Sequence, residues 1–268
     1  MANPLISLVT VTFNAEKLLA KTWQSAMEQS YQNFEFVLVD GNSKDNTLTV
    51  AKQFQSKTGT IISEPDKGIY DAMNKGIKAA KGEWIYFLNA GDLLYNKDVL
   101  KNIFENKEYA DKELIYGKVQ TINEPTGVNY LNGQPVQYSD FFSRYAICHQ
   151  AAFTHKKAFE RIGLYDTQYK LLADNMWFAK YFKSFAAKTT YIDTIIAYYD
   201  VQGASYHKRM QGYSEYIHFG WTTFPFIIAL KNLAMYPVIW TKVKLIRVLT
   251  NTGIFKYYRK LKFKNNNV

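Results

Sequence analysis

One cysteine, Cys148, stands in 268 residues, so no disulfide can form within the chain. That scarcity excludes a disulfide-stapled secreted module and fits a reducing, cytoplasmic compartment. Long uncharged apolar runs are missing as well. The nearest, Trp221 to Trp240, is broken by Pro225, Lys231, Asn232 and Pro237. A membrane-spanning helix needs ~20 consecutive apolar residues, so none is expected. The chain enters a strand pattern at once, without a basic leader or cleavage motif, and no signal peptide is expected. The first strand-to-helix turn, Thr12-Phe13-Asn14-Ala15, lacks G-x-G-x-x-G, and no G-x-x-x-x-G-K-[ST] occurs. These absences argue against a dinucleotide-binding Rossmann site and exclude a P-loop.

Acids are scarce in one region only. Residues 207–268 hold 11 of the 33 Lys and Arg and a single acid, Glu215. The other 22 basic and 22 acidic residues balance, so the net charge of +10 resides in the C-terminal segment. Such asymmetry points to a polyanionic partner, a membrane surface or a nucleic acid. Balance everywhere else makes nucleic acid the weaker reading.

Hydrophobic residues make up 47% of the chain and aromatic residues 16%, with 21 Tyr and 18 Phe. That is enough for one large domain with a core, or a domain with an appendage. Leu5–Phe13, Phe34–Asp40, Thr60–Ser63 and Glu83–Leu88 read as strands. Ala15–Gln29, Lys44–Gln55 and Ile69–Ala80 carry helical periodicity, with Gly82 as a stop. This alternation predicts an α/β fold with a mostly parallel sheet and helices on both faces. After Asp92 the rhythm changes. Helices are expected over 98–106, up to Ile162 and over 174–185, and strands over 113–121, 146–154 and 189–199. Residues 127–135 read as a loop or hairpin. From Tyr213 onward aromatic, aliphatic and basic residues interleave, as in a basic amphipathic helix lying on anionic lipid. Helices packed on the preceding domain, with a solvated tail, would give the same pattern.

Acidic clusters follow the apolar runs. Asp40 ends Phe36-Val37-Leu38-Val39. Asp66 and Asp71 lie in Glu64-Pro65-Asp66-Lys67-Gly68-Ile69-Tyr70-Asp71. Asp92 closes Asn89-Ala90-Gly91-Asp92 after a fourth strand. In an open α/β sheet such positions gather along one edge, where ligands bind. Several carboxylates there suit Mg²⁺ or Mn²⁺ and a polyphosphate. Asp40 alone is ambiguous, since a dehydrogenase also carries an acid after its second strand.

Val9-Thr10-Val11-Thr12-Phe13-Asn14, Val39-Asp40-Gly41-Asn42-Ser43-Lys44-Asp45-Asn46-Thr47 and the run Glu64 to Gly76 resemble family-2 glycosyltransferases of the GT-A fold. The likeness covers about residues 5–200 and is nearest to bacterial exopolysaccharide and O-antigen enzymes of the colanic-acid type. It implies transfer of a sugar, with inversion, from a nucleoside-diphosphate sugar, UDP being the commoner carrier. The implied acceptor is a saccharide, free or on a polyprenyl diphosphate, at the inner face of the cytoplasmic membrane. It also implies a division into a GT-A domain, 1–206, and a basic helical extension, 207–268.

Residue by residue, the resemblance places Thr12, Asn14, Asp40, Asp66, Asp71, Asn74 and Asn89 around the donor nucleotide. Thr12 and Asn14 would equally serve as strand-end and capping residues, and Asp71 as a helix N-terminal acid. Asp92 stands at the family's D-x-D position and would hold a divalent cation, Mn²⁺ or Mg²⁺. Only one aspartate of that motif remains, which motivates a rival reading, an inactive GT-A domain acting as a binding or scaffold protein. Leu171-Leu172-Ala173-Asp174-Asn175-Met176-Trp177 is similar to the acceptor-side acid motif. Asp174 is the candidate general base there, or else a helix cap. His149, Gln150, Trp177 and His207 are candidates for acceptor or diphosphate contacts, with core packing as the alternative for Trp177. A nucleophilic role for Cys148 is not expected, because strand neighbours point to opposite faces.

Overall fold

The computed structural model describes residues 4–122, 129–143, 146–200 and 209–250. Four strands form its first half. Ile6–Thr12 (β1), Phe34–Asp40 (β2), Thr58–Ser63 (β3) and Trp84–Phe87 (β4) run parallel in the order β3-β2-β1-β4. Glu16–Met27 (α1), Thr47–Lys52 (α2) and Ile69–Ala79 (α3) make the crossovers. Successive strand residues serve opposite faces. Leu8, Phe36, Leu38 and Tyr86 pack with Leu19 and Trp23 of α1 and Ala51 of α2. Val9, Val37, Ile85 and Phe87 pack with Met73 and Ile77 of α3. Burial on both faces explains why these strands read as continuous apolar runs.

Two contacts set the positions of the flanking helices. Trp23 stacks on Phe36, centroids 4.2 Å apart, and its indole N–H donates to Thr10 Oγ1 at 2.9 Å. Gly76 lets α3 lie against β1, for a Cβ there would sit 2.3 Å from Val9 Cγ1.

Beyond β4 the sheet is mixed. Leu93–Leu94 (β5), Leu114–Ile122 (β6), Leu131–Asn132 (β7), Ala152–His155 (β8) and Thr189–Asp200 (β9) complete the order β3-β2-β1-β4-β8-β6-β9-β5, with β7 paired to β6. Strand β8 is antiparallel to both β4 and β6, while β9 is parallel to β6. Antiparallel neighbours need no helical crossover, and between β4 and β8 there is only one short α-helix among the described residues, Val99–Phe104 (α4). The parallel reading therefore holds for the first four strands. The strand expected over 146–154 also resolves differently. His149–Ala151 form a 3-10 turn before β8, closed by Ala151 N donating to Cys148 O at 2.9 Å. The opposite-face argument about Cys148 and His149 does not apply in such a turn.

Lys156–Ile162 (α5) and Ala173–Phe185 (α6) follow on the α3 side. Then come Arg209–Thr223 (α7), Phe226–Ala234 (α8) and Tyr236–Thr250 (α9). Phe219 of α7 and Phe224 just after it belong to the same buried cluster as α6. Glu215 of α7 accepts the backbone N–H groups of Lys170, Leu171 and Leu172 at 3.0 to 3.2 Å. The C-terminal helices are thus docked on the sheet domain. The expected boundary at residues 206 and 207 lies outside the described residues.

Candidate active site

Strands β1 and β2 end side by side, Thr12 opposite Asp40, and β4 ends next to β1, with Leu88 N donating to Val9 O at 3.0 Å. The following loops therefore share the edge where open sheets bind ligands. Asp40 is fully buried at its floor. One carboxylate oxygen accepts Thr12 Oγ1 at 3.3 Å and the Ser43 hydroxyl. The other accepts Ser43 N at 3.0 Å and Ser63 Oγ at 2.7 Å. One side chain thus joins the ends of three strands. Asn14, at φ 51°, occupies the left-handed region that asparagine tolerates. Its Oδ1 accepts Lys44 N at 2.9 Å and its N–H donates to Ser43 Oγ at 2.8 Å, which locks the first loop to the second.

Asp66 approaches the same point from the third loop. Its Oδ1 accepts Gly68 N at 2.8 Å. Its Oδ2 lies where only a glycine leaves room, 2.7 Å from the Cβ that residue 41 lacks. That Cβ would also stand 3.4 Å from the Phe13 ring, which is 65% exposed. Thr12, Asp40 and Asp66 therefore meet at Gly41 with the exposed ring of Phe13, which sequence reasoning passed over, and Asn14 joins them through Ser43 and Lys44.

Helix α3 treats its two candidates differently. Asp71, partly exposed in the first turn, accepts Lys67 N at 3.0 Å and pairs with Lys75 Nζ at 3.5 Å. The Lys67 N–H, together with the Lys75 charge, holds its carboxyl below the usual value. Asn74 is buried, and both ends of its amide are spent on Tyr165: Nδ2 donates to the carbonyl at 2.8 Å and Oδ1 accepts the N–H at 2.9 Å. The structure does not bring the Asn74 side chain to the sheet edge with Asp40 and Asp66.

The turn after β4 carries the second cluster. Asp92 N closes on Asn89 O at 2.9 Å, and Gly91, at φ 104°, donates its N–H to Thr22 Oγ1. Asp92 is buried. Asn89 Nδ2 is 3.3 Å from His149 Nε2, while Asn89 Oδ1 is buried with no hydrogen-bond partner. His149 Nδ1 lies 2.8 Å from Asp174 Oδ2. Asp174 Oδ1 accepts Tyr70 O–H and Asn175 N, both at 2.8 Å. A neutral imidazole donating through Nδ1 presents Nε2 as an acceptor, which matches the Asn89 amide N–H. Burial disfavours the Asp174 charge, yet the His149 and Tyr70 donors prevail and hold its carboxyl below the ordinary value. Burial first, then the Asp174 charge, pushes the Tyr70 hydroxyl well up.

The remaining candidates lie elsewhere. Trp177 is a core residue, stacked on Tyr181 with centroids 5.4 Å apart, its N–H bonded to Gly163 O at 2.7 Å. No face of it is open to a sugar. Gln150 is buried behind His149, accepting the Cys148 thiol at 2.8 Å, and its carbonyl accepts Tyr86 O–H. Burial pushes the Cys148 thiol far up, which disables it as a nucleophile. His207 lies outside the described residues. Sequence reasoning also missed Ser43, Ser63 and Tyr70, the partners that hold Asp40 and Asp174. Ser43 lies in a loop, and Ser63 and Tyr70 stand at the ends of β3 and α3, where no period singles out a hydroxyl. Glu215 had a signal, as the single acid of the basic segment.

A divalent cation fits this donor set in a limited way. Among the described residues no three His, Cys, Asp or Glu side chains cluster as ligands. The Asp92 carboxylate and the unpartnered Asn89 Oδ1 are two hard oxygens in one turn. Mg²⁺ and Mn²⁺ sites completed by substrate phosphates ask for little more from the protein.

The chain is similar to known proteins in sequence and in fold. A family model described as glycosyl transferase family 2 matches residues 7–189. A PGL/p-HBAD biosynthesis glycosyltransferase of Mycobacterium bovis (strain BCG / Pasteur 1173P2) is 35% identical over 207 residues, 76% of this chain and 79% of that protein. One of the same description from Mycobacterium tuberculosis (strain ATCC 25177 / H37Ra) matches equally. Among solved structures, Staphylococcus aureus TarS 1-349 in complex with UDP superposes with a TM-score of 0.62 at 19% identity, over 80% of this chain and 63% of that one. The mannosyltransferase PcManGT from Pyrobaculum calidifontis, in complex with GDP-Man and Mn²⁺, gives 0.65 at 15% identity, over 97% and 84%. Both are similar in fold. The matched segment spans the sheet edge, both acidic clusters and Asp174, and on that ground the chain belongs to glycosyl transferase family 2, with a GT-A fold.

Proposed function

We propose that this glycosyltransferase moves a sugar from a nucleoside diphosphate, UDP by preference, to a saccharide acceptor, with inversion, in cell-surface polysaccharide synthesis. The acceptor is a saccharide, free or on a polyprenyl diphosphate, at the inner face of the cytoplasmic membrane. The observation that carries the reading is the joining of two clusters along one sheet edge: Thr12, Asn14, Asp40 and Asp66 around Gly41, and Asn89, Asp92, His149 and Asp174 beside them.

In this reading the first cluster holds the nucleoside. Phe13 offers a flat face to the base, and Asp66 an acceptor for its N–H groups or the ribose. Asp40 sets the floor and keeps the loops in place. Asp71 steadies the third loop. A divalent cation held by Asp92 and Asn89 Oδ1 would neutralise charge on the leaving diphosphate. Asp174 removes the acceptor hydroxyl proton as that oxygen attacks the sugar carbon from the face opposite the diphosphate. His149 and Tyr70 fix the direction of its carboxylate.

Thermal unfolding with a panel of nucleoside diphosphates, with and without Mn²⁺ or Mg²⁺, tests the donor half. A ligand at 100 times its Kd adds ~2.7 kcal/mol. One nucleotide that stabilises strongly, and only with metal, is the expected result. Asp92→Asn should remove the metal-dependent part. If no nucleotide stabilises the folded protein, a binding or scaffold role replaces the enzyme.

A further inference from the structure

Helix α8 inverts the usual order of a surface helix. Its inner side is docked: Ala229 and Asn232 are buried, and Asn232 Nδ2 donates to Phe142 O at 3.1 Å. Its outer side should then be polar. Instead Phe226 is 68% exposed and Ile227 77%, and Leu230 and Leu233 continue the stripe at helical spacing. Helix α9 adds Val238 and Leu245, seven residues apart on one side and both exposed. Monomeric soluble proteins rarely leave so continuous an apolar surface uncovered.

Charge identifies what covers it. Lys231, Lys242 and Lys244 are exposed on the same two helices, and residues 226–250 contain no acid. Lys244 Nζ stands 3.9 Å from the Trp240 ring centroid, a cation over the aromatic face. The acid of α7, Glu215, is spent on the backbone of residues 170–172. A second copy of the chain would set like charges against each other. An anionic bilayer meets both demands, taking the aromatic and aliphatic stripe at the acyl boundary and the ammonium groups at the headgroups. No helix among the described residues is long and apolar enough to cross a membrane. We propose that α8 and α9 form the face by which the enzyme lies on an anionic lipid surface, with α8 as the inserted ridge. The inference rests on the lipid-linked acceptor reading and deepens it, narrowing the attachment from the whole segment beyond Tyr213 to two helices. The preceding helix α7 reaches the acceptor side through Glu215, whose partners Lys170 to Leu172 lie just before helix α6 and its Asp174.

Flotation of the full-length protein tests this, using vesicles of phosphatidylcholine alone and of phosphatidylcholine mixed with phosphatidylglycerol. The folded wild type should favour the anionic vesicles by about tenfold or more, since each basic group near such a surface adds to binding. Ile227→Asp with Leu230→Asp should abolish flotation while circular dichroism and the nucleotide-induced thermal shift stay as in the wild type. Lys242→Glu with Lys244→Glu should remove the preference for anionic lipid. Because flotation needs no donor or acceptor, its outcome is independent of whether the transferase reading holds. Three results overturn the proposal: no flotation of the folded wild type on either vesicle, a dimer in light scattering that Ile227→Asp dissociates, or flotation that is lost when residues 251–268 are removed and α8 and α9 are left intact.

Discussion

His149 Nδ1 and Asp174 Oδ2 lie 2.8 Å apart, joining the turn before β8 to the first turn of α6. With Tyr70 and Asn175 on its other oxygen, Asp174 is held in one orientation before any acceptor arrives. Asp174→Asn keeps the shape and removes the basic oxygen. Positioned general bases contribute about 10²- to 10⁴-fold, so kcat should fall by that order while nucleotide binding persists. Single-turnover rates beside calorimetric nucleotide titration check this. Loss of binding along with turnover would make Asp174 a structural cap instead.

The same carboxylate has a signature in acid. Its pKa is lowered in the folded chain, so its charge stabilises the fold above the ordinary carboxylate value of ~3.9. That contribution is lost as pH falls through the lower folded value. Urea unfolding of wild type and Asp174→Asn should therefore differ most near neutrality and converge as the pH falls below the ordinary carboxylate value. A gap that widens in acid would contradict the assigned donors.

Gly41 and Asp66 permit a test of the donor edge without touching a polar group. Gly41→Ala would place its Cβ against Asp66 Oδ2 and force the carboxylate aside. Nucleotide affinity should fall with little change in unfolding temperature. Phe13→Ala is the companion, since stacking of a base on an aromatic ring contributes ~1–3 kcal/mol. Calorimetry with UDP and GDP measures both, and unaltered affinity in the two variants would move the base elsewhere.

How far the sequence disclosed this site follows from periodicity. Strands β1, β2 and β4 are buried on both faces, so their runs, and the acids that end them, stand out. Strands β5 and β7 have two residues each, too few for any period, and they belong to the mixed half of the sheet. Helical spacing puts Asp71 and Asn74, three residues apart, on one side, but it does not reveal that Asn74 faces the Tyr165 backbone. Trp177 suited a sugar by chemistry, while its stack on Tyr181 assigns it to the core.

Asn74 yields a prediction that separates fold from function. Asn74→Ala leaves the Tyr165 N–H and carbonyl without partners in a buried place. Each unsatisfied buried group costs ~1–3 kcal/mol, so stability should drop by about 2–4 kcal/mol. Nucleotide affinity, measured well below the unfolding temperature, should hold. Weaker affinity with intact stability would return Asn74 to the donor site.

In the proposed cation site Asn89 shares a turn with Asp92, and its Oδ1 is buried without a partner. An amide oxygen binds a hard cation less strongly than a carboxylate, because the attraction is largely between charges. Asn89→Asp supplies the second charge beside Asp92. Affinity for Mn²⁺ in the presence of nucleoside diphosphate should rise by about tenfold, an added ~1.4 kcal/mol. Paramagnetic titration of free Mn²⁺ reads this directly, apart from turnover. The same change replaces the amide N–H that stands 3.3 Å from His149 Nε2 with a carboxylate oxygen and breaks the contact that helps orient the imidazole. The variant should therefore gain metal and lose rate. A variant that gains no metal affinity would remove this turn from the cation site.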